Sequence, residues 1–319
     1  MRLLIAAILV LGLTVQAARA QPPASGQGNT AGNPSRAAPR ESFRMPASEQ
    51  KNIAGNPSWT APQKPFRIYG NTWYVGPHGL GVFLVTARTG DVLIDGGVPG
   101  DASLIEANIR SLGVSLRDIK WILNSHAHSD HAGGIAQLAH DTGAQVIAGA
   151  ADTPLLERGG HDDPEYDDRF PFPPVHVSRM ANDDESLHLG DLVLTAHATP
   201  GHTRGNTTWT WLSCEGTRCL HMVDVGSLSA PGFKLIGNAR YPDNVKDFEH
   251  SFAVVAALPC DIPLAPHPDM VNFWARVAKR SRDANALIDP TGCRAYSKAA
   301  RANFEVELAK QRADAASEK

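Results

Sequence analysis

The strongest constraint in this chain is a dense run of metal-ligand side chains at residues 124–134, which read NSHAHSDHAGG. His126, His128, Asp130 and His131 fall within six residues there, directly after a short apolar segment. Imidazole nitrogens and carboxylate oxygens are the ligands that a borderline cation such as Zn²⁺ takes. The two pairs of side chains point in different directions, so one loop at the end of a strand can serve two metal ions. A polar loop with scattered histidines is the alternative, and ligand density directly after an apolar strand disfavours it.

The N-terminus has the pattern of an export signal. Residues 1–20 combine an early arginine, an apolar stretch and an A-x-A motif ending at Ala20, which predicts a signal peptide cleaved after that residue. The apolar stretch is too short to span a membrane comfortably. Residues 21–57 are rich in Pro, Gly, Ser, Ala and Asn, which predicts a disordered leader. We therefore expect an exported protein whose folded domain is 58–319, with no membrane association after cleavage.

The remaining sequence predicts an α/β domain. With 42% hydrophobic and 20% charged residues, it has a globular composition, and a net charge of −3 gives no indication of nucleic-acid binding. Residues 66–95 predict four strands, 102–112 a helix, and 119–124 a strand that ends at the histidine run. Residues 187–225 predict four more strands, and 247–258 another helix. Two halves, each a meander followed by a helix, predict two sheets between layers of helices.

Two further histidines, His202 and His267, each follow a predicted strand, as the first ligands do. Ligands at the carboxyl ends of strands match the general rule for α/β sheets. Two cations that share a solvent molecule lower its pKa and hold it as hydroxide, a nucleophile at neutral pH. We predict two metal-binding sets: His126, His128 and His202 for the first, and Asp130, His131 and His267 for the second.

Two other segments are candidates for supporting roles. Asp95 ends a predicted strand, where it either orients a ligand from behind or caps a Gly-Gly turn, and the residue pattern supports both interpretations equally. The segment 157–174, hereafter the flap, is long and aperiodic, which is typical of functional loops but also of solvated acidic loops. His161 lies in the flap and is a candidate for substrate contact.

Four cysteines in an exported chain indicate disulfides rather than metal ligands. Cys214 and Cys219 flank a predicted hairpin loop, which favours a local bridge and leaves Cys260 to pair with Cys293. Four cysteines allow three connectivities, and the sequence alone does not choose among them. The bridge that closes the longer loop is expected to stabilise by on the order of 3 kcal/mol in the chain-entropy model.

The H-x-H-x-D-H loop and the later histidines resemble the metallo-β-lactamase superfamily, whose fold is an αββα sandwich of two mixed β-sheets flanked by helices. The motif is more specific for the fold than for the substrate. Ser227 stands where many of these hydrolases carry a bridging aspartate. The segments 227–233, 240–242, 258–261 and 266–268 are similar to those of subclass B3 metallo-β-lactamases.

The resemblance implies a monomeric, periplasmic enzyme with two Zn²⁺ per chain and a small-molecule β-lactam as its partner. It implies hydrolysis of penicillins, cephalosporins and carbapenems by attack of a zinc-bound hydroxide, which Asp130 orients. It further implies that Ser227 and Ser229 contact the substrate carboxylate; serines that form a turn before Pro231 are the alternative.

Two other functions compete with this interpretation. The first is another exported dizinc hydrolase of the same fold, which would act on a lactone, thioester or phosphodiester. A bridging aspartate at position 227 would have favoured this function, but the chain has a serine there. A zinc-storage protein would bind metal without turnover, which open coordination positions disfavour. Asp224 lies near the end of its strand, and we expect it not to reach the metals.

Overall fold

The computed structural model of the protein describes residues 43–317. The predicted signal peptide and the predicted leader up to residue 42 lie outside the described residues. Within residues 43–317, none of the helices is both long enough and apolar enough to cross a membrane.

The first half of the domain forms a seven-stranded sheet whose spatial order follows the sequence. The first four strands are antiparallel, and the fourth to seventh are parallel. The strands are β1 (Phe66–Tyr69), β2 (Thr72–Tyr74), β3 (Phe83–Val85), β4 (Asp91–Ile94), β5 (Ile119–Leu123), β6 (Gln145–Gly149) and β7 (Arg179–Ala181). The helices of this half are α1 (Ala47–Gly55), α2 (Ala102–Ser111), α3 (Ser129–Ala132), α4 (Ile135–Thr142) and α5 (Thr153–Glu157).

The second half forms a five-stranded sheet in the order β12-β11-β10-β9-β8, in which only the β11–β12 pair is parallel. Its strands are β8 (Glu185–Leu189), β9 (Leu192–Ala198), β10 (Thr207–Glu215), β11 (Arg218–Asp224) and β12 (Ile262–Leu264). Its helices are α6 (Asn244–Ala257), α7 (Phe273–Val277) and α8 (Gly292–Ser317). Short 3₁₀ helices span Pro57–Trp59, Leu116–Asp118 and Pro268–Val271.

The two sheets pack face to face, and helices cover their outer faces. Because strand side chains alternate, β3 and β4 place Phe83 and Ile94 in the core with Trp209, while Leu84 and Leu93 form a second core with α2 and α4. On the other sheet, α6 and α8 add further aromatic side chains to the first core. The predicted α/β class and αββα sandwich are confirmed.

The ligand-bearing loop leaves the carboxyl end of β5, between its parallel neighbours β4 and β6. The two glycines that close the run lie against the Gly-Gly turn after β4. A Cβ on Gly134 would lie 2.2 Å from the carbonyl oxygen of Gly96, so only glycine allows the two turns to meet. The short α3, which carries Asp130 and His131, is thereby held against the sheet.

The prediction of a disordered leader is wrong for residues 43–57. The described residues belong to one compact unit, and α1 lies within it. Polar contacts hold this helix: Glu49 is fully buried, and the Ser48 hydroxyl donates to the Arg169 carbonyl in the flap at 2.6 Å. Its side chains carry no strong apolar periodicity, which is why the sequence pattern did not reveal it.

Both favoured disulfides are present, Cys214–Cys219 and Cys260–Cys293. The first joins opposite residues of the β10–β11 hairpin, and the second joins the segment after α6 to the start of α8.

Removing the longer-range disulfide should destabilise the domain more than removing the local one. The Cys260–Cys293 bridge spans 33 residues and the Cys214–Cys219 bridge only 5. The double variant Cys260→Ser with Cys293→Ser is expected to lose about 4 kcal/mol of unfolding free energy, against about 2 kcal/mol for Cys214→Ser with Cys219→Ser. Urea unfolding of both double variants measures the difference, and an equal or reversed order would contradict it.

Candidate metal centre

Three histidines from two loops form the first predicted set. His126 and His128 lie in the loop after β5, and His202 lies in the loop after β9. One nitrogen from each of the three lies within 4.8 Å of the others, and all three side chains are buried. The Nδ1 atom of His128 is 3.0 Å from the Nε2 atom of His202. The Nε2 atom of His126 is buried without a hydrogen-bond partner among the described residues.

The second predicted set lies beside the first. The Oδ2 atom of Asp130 is 3.2 Å from Nε2 of His131 and 3.2 Å from Nε2 of His267. The two Nε2 atoms are 3.3 Å apart. Asp130 and His131 come from α3, and His267 from the turn after β12. Ligand atoms of His126, Asp130 and His131 also lie within 4.8 Å of one another, so the two sets adjoin.

The spacing of these atoms fits bound metal ions. Around a tetrahedral Zn²⁺ with Zn–N distances of 2.0–2.1 Å, neighbouring ligand atoms lie about 3.3 Å apart. The measured separations of 3.0–3.3 Å agree with that value. A buried imidazole nitrogen usually has a hydrogen-bond partner. Nε2 of His126 has none in the described chain, and it can instead bind a cation.

The protonation of His126, His202 and Asp130 also suits metal binding, which requires neutral imidazole and ionised carboxylate. Burial, together with the neighbouring histidines, lowers the pKa of His126 and His202 well below the usual range. Burial acts to raise the pKa of Asp130, but His131 and His267 outweigh it and hold the pKa well below its usual value.

Asp95 supports the ligand loop from behind. At the end of β4, with a left-handed φ of 64°, it accepts hydrogen bonds from the Ser125 backbone at 2.7 Å, the Ser125 hydroxyl at 2.6 Å and the Asn124 amide at 3.1 Å. Its Oδ2 atom lies 3.7 Å from Nδ1 of His131. Asp95 thus fits both predicted roles: it caps the turn after β4, and its carboxylate faces the metal-ligand candidate His131.

A second buried carboxylate, Asp152, joins the two histidine-bearing loops and was not predicted. It accepts hydrogen bonds from the Ala127 backbone at 2.9 Å, the Thr203 hydroxyl at 2.6 Å and the Gly205 backbone at 2.7 Å. Ala127 lies between two ligands of the first set, and Thr203 follows the third. Asp152 therefore sets the distance between the loops that make the set.

A cavity of about 300 Å³ opens over the two sets, within the range of small-molecule sites. Asp130, His128, His202 and His267 contribute to its floor, and Ser229 to one side. Its remaining walls are largely aromatic and apolar and include Trp59, Tyr166, Phe170 and Met270.

The two predicted substrate-contact serines form one pair at this cavity. Their hydroxyl oxygens are 3.0 Å apart, with Ser227 buried and Ser229 at the wall. The Ser229 carbonyl accepts a 2.7 Å hydrogen bond from Nδ1 of His202, which leaves Nε2 of that histidine for the metal.

The flap is present as a long irregular segment, but His161 does not line the cavity. Its exposed imidazole lies 3.1 Å from Asp168 on the outer side of the flap. Left-handed backbone at Gly159, Gly160 and Asp162 turns the chain so that the residues after His161 face inward instead. The prediction that His161 reaches substrate is therefore not supported by the geometry.

Asp224 lies apart from both sets, as expected. It ends β11 opposite Trp209 and is fully buried, with no hydrogen-bond partner for either oxygen among the described residues. Burial, and secondarily the charge of Asp95, raises the pKa of Asp224 well above its usual value. No group of ligand atoms in residues 43–317 includes it.

Glu49 brings α1 to the edge of the second set. Its Oε2 atom accepts a hydrogen bond from the Asn52 amide at 3.3 Å, and its Oε1 atom is buried without a partner in the described chain. Burial raises the pKa of Glu49 from 4.5 to about 7, and the charge of Asp130 adds to the rise. The folded protein therefore favours the protonated form, and the domain loses stability as pH rises from below 4.5 through 7.

Replacing Glu49 with glutamine should stabilise the metal-free protein at high pH. Since one pKa unit is about 1.4 kcal/mol, the gain is expected to be about 1–3 kcal/mol at pH 8 and to vanish near pH 4. Thermal unfolding of chelator-treated wild type and Glu49→Gln at both pH values measures it. The exposed Glu249→Gln variant is the control, and a Glu49→Gln effect independent of pH would contradict the prediction.

Known proteins share this fold. The sequence profile of the metallo-β-lactamase superfamily matches residues 80–215. The solved structure of Rm3 metallo-β-lactamase is 45% identical, with 80% of this chain and 97% of that chain covered and a TM-score of 0.77. The structure of BJP-1, a subclass B3 metallo-β-lactamase of Bradyrhizobium japonicum, is 37% identical, with 81% and 98% covered and a TM-score of 0.76.

Curated relatives match over a shorter stretch. A hydroxyacylglutathione hydrolase of Anaeromyxobacter dehalogenans (strain 2CP-C) is 32% identical over 129 residues, which are 40% of this chain and 41% of that protein. The chain thus spans about two fifths of that relative's length. The match to Rm3, by contrast, extends over nearly the whole of that protein. By its fold, its ligand sets and this likeness, the chain belongs to the metallo-β-lactamase superfamily, with subclass B3 enzymes among its structural neighbours.

Proposed function

We propose that this metallo-hydrolase is a class B β-lactamase that opens the amide ring of penicillins, cephalosporins and carbapenems with two Zn²⁺ per chain. The first zinc is held by His126, His128 and His202, and the second by the other set, Asp130, His131 and His267. We further propose a periplasmic location after removal of residues 1–20, and a monomer.

The observation that carries this proposal is the residue that follows β11 beside the ligand sets. Position 227 holds a serine, hydrogen-bonded to Ser229 at the cavity wall, and Asp130 is the one carboxylate in the ligand groups of the described chain. A hydroxyl pair can donate to a substrate carboxylate, which every class of β-lactam named above carries. The likeness to the subclass B3 enzyme BJP-1, which covers 98% of that protein, supports the same choice.

The residues of the site would have different roles in hydrolysis. Bound zinc supplies a Lewis acid for the lactam carbonyl and lowers the pKa of a coordinated water toward neutrality. Asp130, held ionised in the cavity floor, can accept a hydrogen bond from the attacking water and so orient it. The aromatic wall formed by Trp59 and Tyr166 packs against the substrate and excludes bulk water, which strengthens the polar contacts beneath it.

The second candidate is a thioesterase, because the curated relatives include hydroxyacylglutathione hydrolases. Steady-state kinetics of the purified protein with a carbapenem, a chromogenic cephalosporin and a hydroxyacylglutathione thioester separates the two. We expect kcat/KM for at least one β-lactam to exceed that for the thioester by at least about 10³-fold, a difference of about 4 kcal/mol in transition-state binding. A thioester preference would overturn the proposal and leave the fold assignment intact.

Replacing Ser229 with alanine should weaken substrate binding. Loss of one hydrogen bond to a charged group costs about 1.5–3 kcal/mol, so KM should rise by about 10–100-fold. Because the contact is to the substrate carboxylate rather than the reacting bond, kcat should change little. Ser186→Ala, an exposed change on β8, is the control. An unchanged KM in Ser229→Ala would exclude the contact.

A further inference from the structure

The flap places a carboxylate against a metal-binding histidine. Asp163 is 4% exposed, and its Oδ2 atom lies 3.4 Å from Nε2 of His128. On the opposite edge of the same ring, Nδ1 faces Nε2 of His202 at 3.0 Å. Nε2 of His128 is buried and has no hydrogen-bond partner in the part of the chain that the structure describes. The Asp163 carboxylate is thus within ion-pair distance of this nitrogen without forming a hydrogen bond to it in the structure.

A carboxylate beside a metal-bound imidazole can act as its hydrogen-bond acceptor. A neutral imidazole that ligates a metal through one nitrogen carries its proton on the other. If His128 ligates through Nδ1, the edge that faces His202, its Nε2–H is a buried donor. A carboxylate acceptor there fixes the tautomer and ring orientation and makes the imidazole a stronger ligand.

The flap holds the Asp163 carboxylate in place before any metal binds. Its Oδ1 atom accepts from the Glu165 backbone at 2.7 Å and the Tyr166 backbone at 2.8 Å, which leaves Oδ2 directed at His128. The backbones of Asp163 and Asp167 exchange two hydrogen bonds, of 3.2 and 3.0 Å. The Tyr166 ring packs on His128, with ring centroids 5.1 Å apart.

An arginine outside the flap supports the same geometry. Arg240 pairs with Asp162 at 2.5 Å and also with Asp167, the residues on either side of the Asp163 turn. Glu165 accepts from the Asn238 amide at 2.7 Å. The turn that presents Asp163 is therefore attached to the 234–241 segment by three side-chain pairs.

We propose that Asp163 is the positioning residue of His128, through which the flap is tied to the first metal-binding set. The flap then contributes to metal affinity as well as to the cavity wall. This inference rests on the proposed metal centre and not on the choice of substrate.

The test compares zinc affinities of the full-length mature protein, measured by competition with a chromophoric chelator. Asp163→Asn keeps an oxygen for the two backbone donors but removes the charge, and Asp163→Ala removes the acceptor. Asp162→Asn is the matched control, because it makes the same change one residue away at an exposed position. It removes one charge from the Arg240 contacts and leaves the Arg240–Asp167 and Glu165–Asn238 pairs that hold the turn. We expect first-site zinc affinity to fall about 10–100-fold in the Asp163 variants, as is typical of carboxylates behind metal-bound histidines, and to stay within about threefold in Asp162→Asn.

A spectroscopic readout separates positioning from general damage to the flap. In the zinc-loaded wild type, the Nε2–H proton resonance of His128 should lie downfield, and it should move upfield in Asp163→Asn but not in Asp162→Asn. Wild-type affinity with an unmoved resonance in Asp163→Asn would overturn the inference. Equal losses of affinity in Asp162→Asn and Asp163→Asn would also overturn it. Failure of the wild type to bind zinc would instead refute the metal centre itself.

Discussion

Asp130→Ala is expected to reduce β-lactam hydrolysis by about 10³-fold or more while leaving a folded, exported protein. The reason is that the Asp130 carboxylate lies 3.2 Å from both His131 and His267, so the variant loses a ligand of the second set and the acceptor in the cavity floor. A 10³-fold loss corresponds to about 4 kcal/mol of transition-state stabilisation, which is reasonable for a residue with both roles. His126→Ala should have a comparable effect through the first set.

The measurement is kcat/KM with a chromogenic cephalosporin, together with far-UV circular dichroism. Asp191→Ala removes the same charge from an exposed turn remote from the site and should retain wild-type activity. Wild-type turnover by Asp130→Ala would remove the basis for the proposed ligand sets.

Asp152→Ala is expected to lower the unfolding free energy by about 3 kcal/mol or more and to weaken the first metal-binding set. Three buried donors, from Ala127, Thr203 and Gly205, would lose their acceptor at once. Each unmet buried donor costs about 1–3 kcal/mol, partly relieved where water can enter. The His202 loop would then no longer be held against the loop that carries His126 and His128.

Urea unfolding of the chelator-treated protein isolates this effect from the loss of zinc. Asp152→Asn is the matched variant: it keeps one oxygen acceptor and should recover part of the stability. A change of less than about 0.5 kcal/mol in Asp152→Ala would show that the three hydrogen bonds are replaced by other contacts.

The sequence was sufficient where a signal is local. Short apolar runs bounded by turn residues predicted β1 to β4, and helical spacing predicted α2, because both patterns are set by neighbouring residues in the sequence. The strand that ends at the histidine run was predicted for the same reason. The ligand sets could be assembled because each late histidine follows a strand, and strand ends meet at one edge of the fold.

The sequence alone could not predict residues whose roles depend on contacts with distant parts of the chain. Asp152 and Asp163 stand among ordinary polar loop residues, and only the closed fold brings them to Ala127 and His128. Helix α1 was missed because its single buried residue is Glu49, which no apolar pattern reveals. His161 was predicted because it lies in the flap, but its exposed imidazole faces Asp168 and does not line the cavity.

Zinc-dependent β-lactam hydrolysis is best tested by measuring carbapenem hydrolysis by the purified mature protein. Activity is measured before chelation, after chelation and after zinc is returned, and bound metal is counted in parallel. We predict that the protein opens the lactam ring and binds about two zinc ions per chain, as a dinuclear site requires. Activity should be lost on chelation and should recover when zinc is added. Lactam hydrolysis that persists in the metal-depleted protein, or two bound zinc ions with no lactam turnover, would contradict this prediction.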